Sequence, residues 1–122
     1  METQEKAGSP VHRRGGQSSF LLLTQGQFGS EHLAITWVDC PPGSLQGLHR
    51  HDTQEQVYVI VRGRGVMTVG GDEKEVAEGT LVYVPPRSDH AIRNTSDEMM
   101  CYISATSPPF DSALVRALYE EQ

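Results

Sequence analysis

The sequence predicts an all-β fold, a double-stranded β-helix or jelly-roll barrel, followed by a short C-terminal helix. Three observations lead to this prediction. Short runs of alternating apolar and polar residues recur along the chain, glycine and proline separate them, and only 37% of the residues are hydrophobic. Alternation with a period of two is typical of strands with one buried face. The pattern alone leaves a sandwich and a barrel open, and the motifs described below favour the barrel.

Eight segments carry the strand pattern. In chain order they are residues 19–24, 32–39, 56–62, 65–69, 74–77, 80–84, 90–94 and 99–105. The sequence Gly70-Gly71-Asp72 predicts a tight hairpin between two of them, because glycine accepts the positive φ that such turns need. Asp111 can cap a terminal helix that presents Leu114 and Leu118 on one face.

The chain is expected to form one compact domain with an N-terminal arm. Its 122 residues are close to the usual domain size and can bury one core. Residues 1–17 are polar and predict a tail that is either disordered or held by a partner subunit. Residues 18–110 are assigned to the barrel, and residues 111–122 to a short helix of the same domain.

Charge and hydrophobicity exclude several classes of partner. The net charge of −6 argues against nucleic acid and anionic membrane surfaces. No apolar stretch approaches the ~20 residues that span a bilayer. Residues 1–17 contain no hydrophobic segment of the kind found in signal peptides, which predicts a cytoplasmic protein. Cys40 and Cys101 are therefore expected to be reduced thiols.

Two frames of glycine, proline and histidine carry the strongest functional signal. The first contains Gly43, His49, His51 and Gly63, and the second contains Gly79, Pro85, His90 and Asn94. If His49 and His51 lie on one strand, their side chains project from the same face, with Cα atoms roughly 6.5–7 Å apart. Both imidazoles could then reach one metal ion, and His90, arriving from a distant strand, would complete the set.

These two frames resemble the two motifs of the cupin superfamily, and the chain is similar to its small single-domain members. The resemblance implies a small β-barrel that holds a metal ion through His49, His51, His90 and a fourth ligand. It leaves the reaction open, because this superfamily supports many chemistries on one barrel. Two positions depart from the motif. Arg87 stands where glycine is usual, so the turn before His90 is expected to differ in shape, and the second departure concerns the acidic ligand.

The fourth ligand is either Gln56 or Glu55. In the cupin motif, three or four residues separate the second histidine from an acidic residue, and six residues separate that acidic residue from the closing glycine. Both candidates satisfy the first distance, but only Gln56 leaves six residues before Gly63. Strand alternation places Gln56 on the same face as Tyr58, and Glu55 on the same face as Val57. We favour Gln56, which leaves Glu55 as an ordinary surface or dimer-facing charge.

A site of three imidazoles and a carboxamide would be formally neutral. A divalent ion bound there would keep its full charge, which favours Lewis acidity. Imidazole-rich sites accept Zn, Ni, Mn, Fe and Cu, so the metal's identity is not predicted. Tyr58 and Tyr102, if they face the pocket, are candidate catalytic proton donors or acceptors. His12 and His32 are interpreted as structural histidines.

The leading functional hypothesis is a metalloenzyme, an isomerase, lyase or dioxygenase. Its substrate would be a small molecule that chelates the metal, such as a hydroxy acid, a keto acid or a sugar derivative. The alternatives are a non-catalytic ligand-binding or sensory barrel, for which no helix-turn-helix segment is evident, and a metal-free structural barrel. A homodimer is expected, because small cupins pair through sheet faces and N-terminal arms and because exposed sheet edges favour pairing.

Overall fold

The computed structural model describes residues 1–110, which form two antiparallel sheets packed against each other. Within this range the strands are β1 (Val11–Arg14), β2 (Gln17–Leu23), β3 (Ala34–Cys40), β4 (Leu45–His49), β5 (Glu55–Arg62), β6 (Arg64–Val69), β7 (Asp72–Ala77), β8 (Leu81–Val84), β9 (His90–Arg93) and β10 (Met100–Ser107). The six-stranded sheet has the order β1-β2-β3-β10-β5-β8, and the four-stranded sheet has the order β4-β9-β6-β7. The predicted jelly-roll barrel is confirmed.

Short helical segments contribute little to the described part of the fold. Two single 3₁₀ turns are present, at Lys6–Gly8 and Gln27–Gly29. The terminal helix predicted from Asp111 onward lies outside the described residues. Across residues 1–110, none of the helical segments has the length and apolar character needed to cross a membrane.

All eight predicted strands are present, with ends displaced by at most two residues. β1 and β4 are additional. β1 lies in the segment predicted to be a disordered or partner-held arm, and it pairs with β2 of its own chain instead. The turn between them is Gly15-Gly16, with φ of +62° and +81°. A Cβ at Gly15 would clash with the carbonyl oxygen of Leu45, so glycine lets this turn press against β4.

The apolar core lies between the two sheets. Val38, Ile60 and Tyr102 from the six-stranded sheet pack against Met67 and Ile92 from the four-stranded sheet, and each is at most 2% exposed. Removing this apolar surface from water is the main stabilising contribution to a fold of this kind. The core occupies part of the space between the sheets, and a cavity occupies another part.

Two residues of the motifs stabilise turns and are not candidate metal ligands. The buried Asn94 side-chain amide donates to the carbonyl oxygens of Cys40 at 2.8 Å and Glu98 at 2.7 Å. Gly63 has φ of +74°, and a Cβ there would clash with the carbonyl oxygen of Met99. These residues close the loops that keep the histidine-bearing strands in place.

Neither cysteine has the character of a reactive thiol. Cys40 and Cys101 are both free and buried. Burial raises the pKa of Cys40 to about 12 and that of Cys101 to about 11. Because the thiolate is the nucleophilic form, both residues act here as small packing side chains.

Candidate metal and ligand site

His49, His51 and His90 come together at the end of the four-stranded sheet. Their candidate ligand atoms all lie within 4.8 Å of one another. The ring centroids are 4.1 Å apart for His49 and His90, 5.0 Å for His49 and His51, and 5.3 Å for His51 and His90. His49 and His90 face each other across β4 and β9. The three imidazoles form a cluster that could hold a metal ion.

His51 reaches the cluster by a different route from the one predicted. β4 ends at His49, so His51 lies in the following loop and strand alternation does not orient it. The loop is held by a backbone hydrogen bond of 2.7 Å, in which the Arg87 amide donates to the His51 carbonyl. Arg87 has φ of +63°, the left-handed conformation that the glycine of the motif would adopt easily. The turn therefore keeps the shape that glycine would give it.

Backbone carbonyls orient two of the imidazoles. The Nδ1–H of His49 donates to the Gly47 carbonyl at 2.8 Å, and the Nδ1–H of His90 donates to the Ser88 carbonyl at 2.9 Å. A carbonyl oxygen only accepts, so each neutral ring carries its hydrogen on Nδ1 and presents the Nε2 lone pair. The Nε2 atom of His90 is buried and has no hydrogen-bond partner among the described residues.

The surroundings of His51 and His90 favour the neutral form of both rings. Burial, together with the neighbouring His49 and His90 rings, lowers the pKa of His51 to about 4. Burial and His49 also lower the pKa of His90, against the opposing effects of the Ser88 carbonyl and the Asp89 carboxylate. The neutral ring is the form that binds a cation, so the site favours metal binding over protonation.

Gln56 lies on the cavity side of β5 and is 6% exposed. Its Nε2 donates to Thr106 Oγ1 at 2.9 Å, while its Oε1 has no hydrogen-bond partner among the described residues. An unsatisfied buried carbonyl costs about 1–3 kcal/mol. Glu55, in contrast, is exposed on the other face, 3.4 Å from the hydroxyl of Tyr83.

These donors fit a divalent transition-metal ion. Three imidazoles and a carboxamide oxygen supply neutral nitrogen and oxygen ligands, and two of the buried donor atoms otherwise lack partners. Coordination would satisfy both atoms. Zn, Ni, Mn, Fe and Cu all accept such donors.

A cavity of about 400 Å³ opens beside the histidines. Tyr58 and Tyr102 line it and stack with ring centroids 4.7 Å apart. The Tyr58 hydroxyl donates to Gln46 Oε1 at 2.9 Å. Burial raises the pKa of both phenols well above the usual value, so they stay protonated at neutral pH. A protonated phenol cannot abstract a proton, and the Tyr58 hydrogen is already donated to Gln46, so the catalytic role of these tyrosines stays a prediction.

The structure adds cavity residues that the sequence did not suggest. His12 and Arg14 of β1 line the cavity and lie in the same sheet as the two tyrosines; His12 was interpreted as structural. Phe110 also lines the cavity, and its ring packs against His51 at a centroid distance of 4.8 Å. The Gly15-Gly16 pair was the available signal for β1, because two consecutive glycines favour a hairpin turn. No comparable signal marks Phe110.

The comparison with known families agrees with the motifs. Residues 36–106 match the family Cupin_2, described as a cupin domain. This match covers more than half of the chain and includes all the histidines of the cluster. The chain belongs to the cupin family. It is a small cupin whose histidine triad could bind metal.

Two curated proteins illustrate what this cupin is similar to. An oxalate-binding protein of Thermotoga maritima is 33% identical over 95 residues, which is 78% of each chain. An uncharacterized protein of Methanocaldococcus jannaschii is 37% identical over 70 residues, 57% of this chain and 56% of the relative. The aligned region thus spans little more than half of the second relative.

A solved structure supports the fold. The crystal structure of a predicted oxalate decarboxylase from Thermotoga maritima superposes with a TM-score of 0.79 at 19% identity. The superposition covers 88% of this chain and 99% of the other. At this level of identity the likeness concerns the barrel alone.

Proposed function

We propose that this cupin is a metalloenzyme that binds a divalent transition metal through His49, His51, His90 and Gln56. Its substrate would be a small acid that chelates the metal, such as a hydroxy acid, a keto acid or a sugar-derived acid. The observation that carries the proposal is one cavity wall that contains His49 and His51 of the histidine cluster and a buried Gln56 whose Oε1 has no hydrogen-bond partner among the described residues. The similarity to an oxalate-binding protein supports a chelating acid as the ligand class.

A bound divalent ion would supply Lewis acidity, polarising a carbonyl or lowering the pKa of a hydroxyl. The protein's own residues would position the acid beside it. The protonated hydroxyls of Tyr58 and Tyr102 would form one side of the pocket, where the Tyr58 hydrogen is already donated to Gln46. Phe110 would restrict the movement of His51 and limit the access of water. The reaction would then be an isomerisation, a lyase reaction or a dioxygenation.

A second candidate is metal-dependent ligand binding without turnover. Among the described residues that line the cavity none is Asp or Glu, and the phenols are held protonated. Apart from the proposed metal ligands, this leaves His12 as the candidate general base in the described wall, and so few acid–base groups suit a binding protein.

The decisive experiment starts with elemental analysis of protein purified without a histidine tag. Metal-free and metal-reconstituted protein would then be incubated with a panel of hydroxy acids, keto acids and sugar acids, with and without oxygen. We expect metal-dependent binding and turnover. Oxygen dependence would identify a dioxygenase, and oxygen-independent conversion an isomerase or lyase.

The remaining outcomes separate the alternatives. Metal-dependent binding without turnover for any metal would identify the binding protein. Binding that is unchanged by metal removal would contradict both candidate functions. His51→Ala is the matched variant, because it removes one donor and should abolish the effect of adding metal.

A further inference from the structure

Two hydroxyl groups lie next to each other on the floor of the cavity, on the inner face of the six-stranded sheet. Ser104 of β10 is 7% exposed, and Thr36 of β3 lies directly opposite it in the strand pairing. Both residues line the cavity, and neither side chain has a hydrogen bond to another described residue. A hydroxyl that is removed from water and lacks a partner destabilises the fold. A ligand that enters the cavity can supply that partner.

The two hydroxyls continue a row that starts at the proposed metal ligand on β5. Tyr58 of β5 lies opposite Ser104, and Gln56 comes two residues before Tyr58 on the same strand. Gln56 and Ser104 are therefore diagonal neighbours, with Cα atoms about 7–8 Å apart. Thr36 lies one strand further from Gln56, because β10 separates β3 from β5. A molecule chelated beside Gln56 would thus extend first over Ser104 and then toward Thr36.

A side-chain amide reaches the same part of the cavity from the four-stranded sheet. Gln46 of β4 lines the cavity, and its Oε1 accepts the hydrogen of the Tyr58 hydroxyl at 2.9 Å. This bond fixes the orientation of the amide, whose Nε2 hydrogens have no acceptor among the described residues. Because Tyr58 is the strand neighbour of Ser104, the amide and the hydroxyls can contact the same stretch of a ligand from two sheets.

The chemistry of these side chains matches neutral alcohol groups. Ser104, Thr36 and Gln46 carry no charge, so they provide no counter-ion for a second acidic group. A serine or threonine hydroxyl both donates and accepts a hydrogen bond, and an alcohol group of a ligand does the same. The Gln46 amide adds donors for the oxygen atoms of those alcohols.

We propose that Ser104, Thr36 and Gln46 bind hydroxyl groups of the substrate beyond its chelating end. This inference rests on the proposed function, in which the acidic end of the substrate chelates the metal. The cavity of about 400 Å³ is within the range of small-molecule sites and leaves room beyond a chelating group. The substrate class is a polyhydroxy acid, an acid whose carbon chain carries several alcohol groups.

The test compares gluconate with 2-hydroxyhexanoate by calorimetry on zinc-loaded protein in the absence of free zinc. Both probes are six-carbon 2-hydroxy acids with one carboxylate, so they offer the metal the same chelating end. Only gluconate carries hydroxyls on the remaining carbons. We expect gluconate to bind about tenfold or more tightly, because 2-hydroxyhexanoate leaves the polar groups of the cavity without partners.

Ser104→Ala and Thr36→Val each remove one hydroxyl and should each weaken gluconate binding about 3–10-fold, the size of one hydrogen bond. The affinity for 2-hydroxyhexanoate should stay nearly unchanged, because this acid has no hydroxyl to place there. Ser18→Ala on β2 and Thr68→Val on β6 are the matched controls, since they remove the same atoms from residues that do not line the cavity. Both controls should retain the full preference for gluconate.

Equal affinity of the wild-type protein for the two acids would overturn the hydroxyl assignment and leave the chelation proposal intact. A gluconate preference that both cavity variants retain, or that the controls lose equally, would overturn it as well. Failure of both acids to bind in a zinc-dependent way would contradict the proposed function itself, and this inference with it. Thermal melts verify that each variant folds. Thr36→Val keeps the shape of the side chain, so it provides the comparison if the buried Ser104 does not tolerate substitution.

Discussion

At the scale of single residues, the candidate site depends on neighbours that fix donor atoms before any ligand arrives. Backbone carbonyls set the ring tautomers of His49 and His90. The Thr106 hydroxyl accepts from the Gln56 amide and so directs its carbonyl oxygen away from that bond. Such outer contacts commonly change metal affinity by about 10–100-fold when they are removed.

Gln56→Ala should lower metal affinity by about tenfold or more, because it deletes the proposed fourth ligand. Glu55→Ala is the control on the opposite face of the same strand and should leave metal content unchanged. Metal content after dialysis, measured by elemental analysis, gives the comparison. A loss of metal in the Glu55 variant alone would mean that the ligand is one position earlier than we propose.

The histidines and Gln56 could be selected from the sequence because motif spacing and strand alternation are local properties. Burial along β5 follows the predicted alternation, with Gln56, Tyr58 and Ile60 facing inward. Arg14 could not be selected in this way. Its place on the cavity wall depends on the pairing of β1 with β2 and on their packing against β4, which composition alone does not reveal.

At the scale of elements, the loops and hairpins position more of the candidate site than the centres of the strands do. The turn before β9 contains Arg87 with φ of +63° where the family motif has glycine. This conformation destabilises a residue that has a Cβ by about 1–2 kcal/mol. The hydrogen bond from its amide to the His51 carbonyl helps maintain the turn despite that cost.

Arg87→Gly should therefore be more stable than Arg87→Ala by about 0.5–1 kcal/mol, although both remove the same charged side chain. At an ordinary strand position the order would be reversed. Urea denaturation of the two variants measures the difference directly. A more stable alanine variant would show that the backbone at this position is not left-handed in solution.

Apolar alternation predicted eight of the strands. It did not predict β1 and β4, because their sequences lack that alternation. β1 is a four-residue strand with three charged or titratable side chains. β4 contains a glycine and has mostly exposed side chains. β4 is defined by its pairing with β9, which is distant in sequence, and one consequence was the wrong expectation that a single strand holds His49 and His51.

At the scale of the whole molecule, the six-stranded sheet has two faces with separate roles. Its inner face supplies the core and much of the cavity wall. Its outer edge carries large apolar side chains in contact with solvent, with Leu81 58% exposed and Tyr83 50% exposed. Homodimerisation through this face stays a prediction.

Light scattering at micromolar concentration should give the mass of a dimer. Leu81→Arg should shift the protein toward the monomer, because a charge in an apolar interface is costly to desolvate. Leu48→Arg is the matched control, since Leu48 is 64% exposed but lies at the cavity rather than on the outer sheet face. A monomeric wild-type protein would contradict the prediction.

The free energy of unfolding of the metal-free protein should decrease as the pH falls from 6.5 to 4. The pKa of His51 falls from 6.5 to about 4 on folding, and that of His90 also falls. Below pH 6.5 the unfolded chain therefore takes up protons that the folded state resists, so their contribution to stability is complete above pH 6.5 and is lost as the pH falls.

The urea midpoint of the metal-free protein at pH 5 should accordingly be lower than at pH 7. His51→Gln cannot titrate at this position and should show a smaller decrease. An equal decrease in the variant and the wild-type protein would assign the acid sensitivity to other groups.

The hydrogen bond between Arg87 and His51 joins two irregular segments, the loop after β4 and the loop before β9. Amides in irregular segments usually exchange their hydrogens with solvent quickly, because small local openings expose them. The Arg87 amide should instead be protected for as long as these loops stay together. Its exchange rate thus provides a spectroscopic signal of loop separation that needs neither a substrate nor a catalytic assay. Ligation of one ion by His51 and His90 should slow that exchange, because opening the loops would then require breaking a coordination bond.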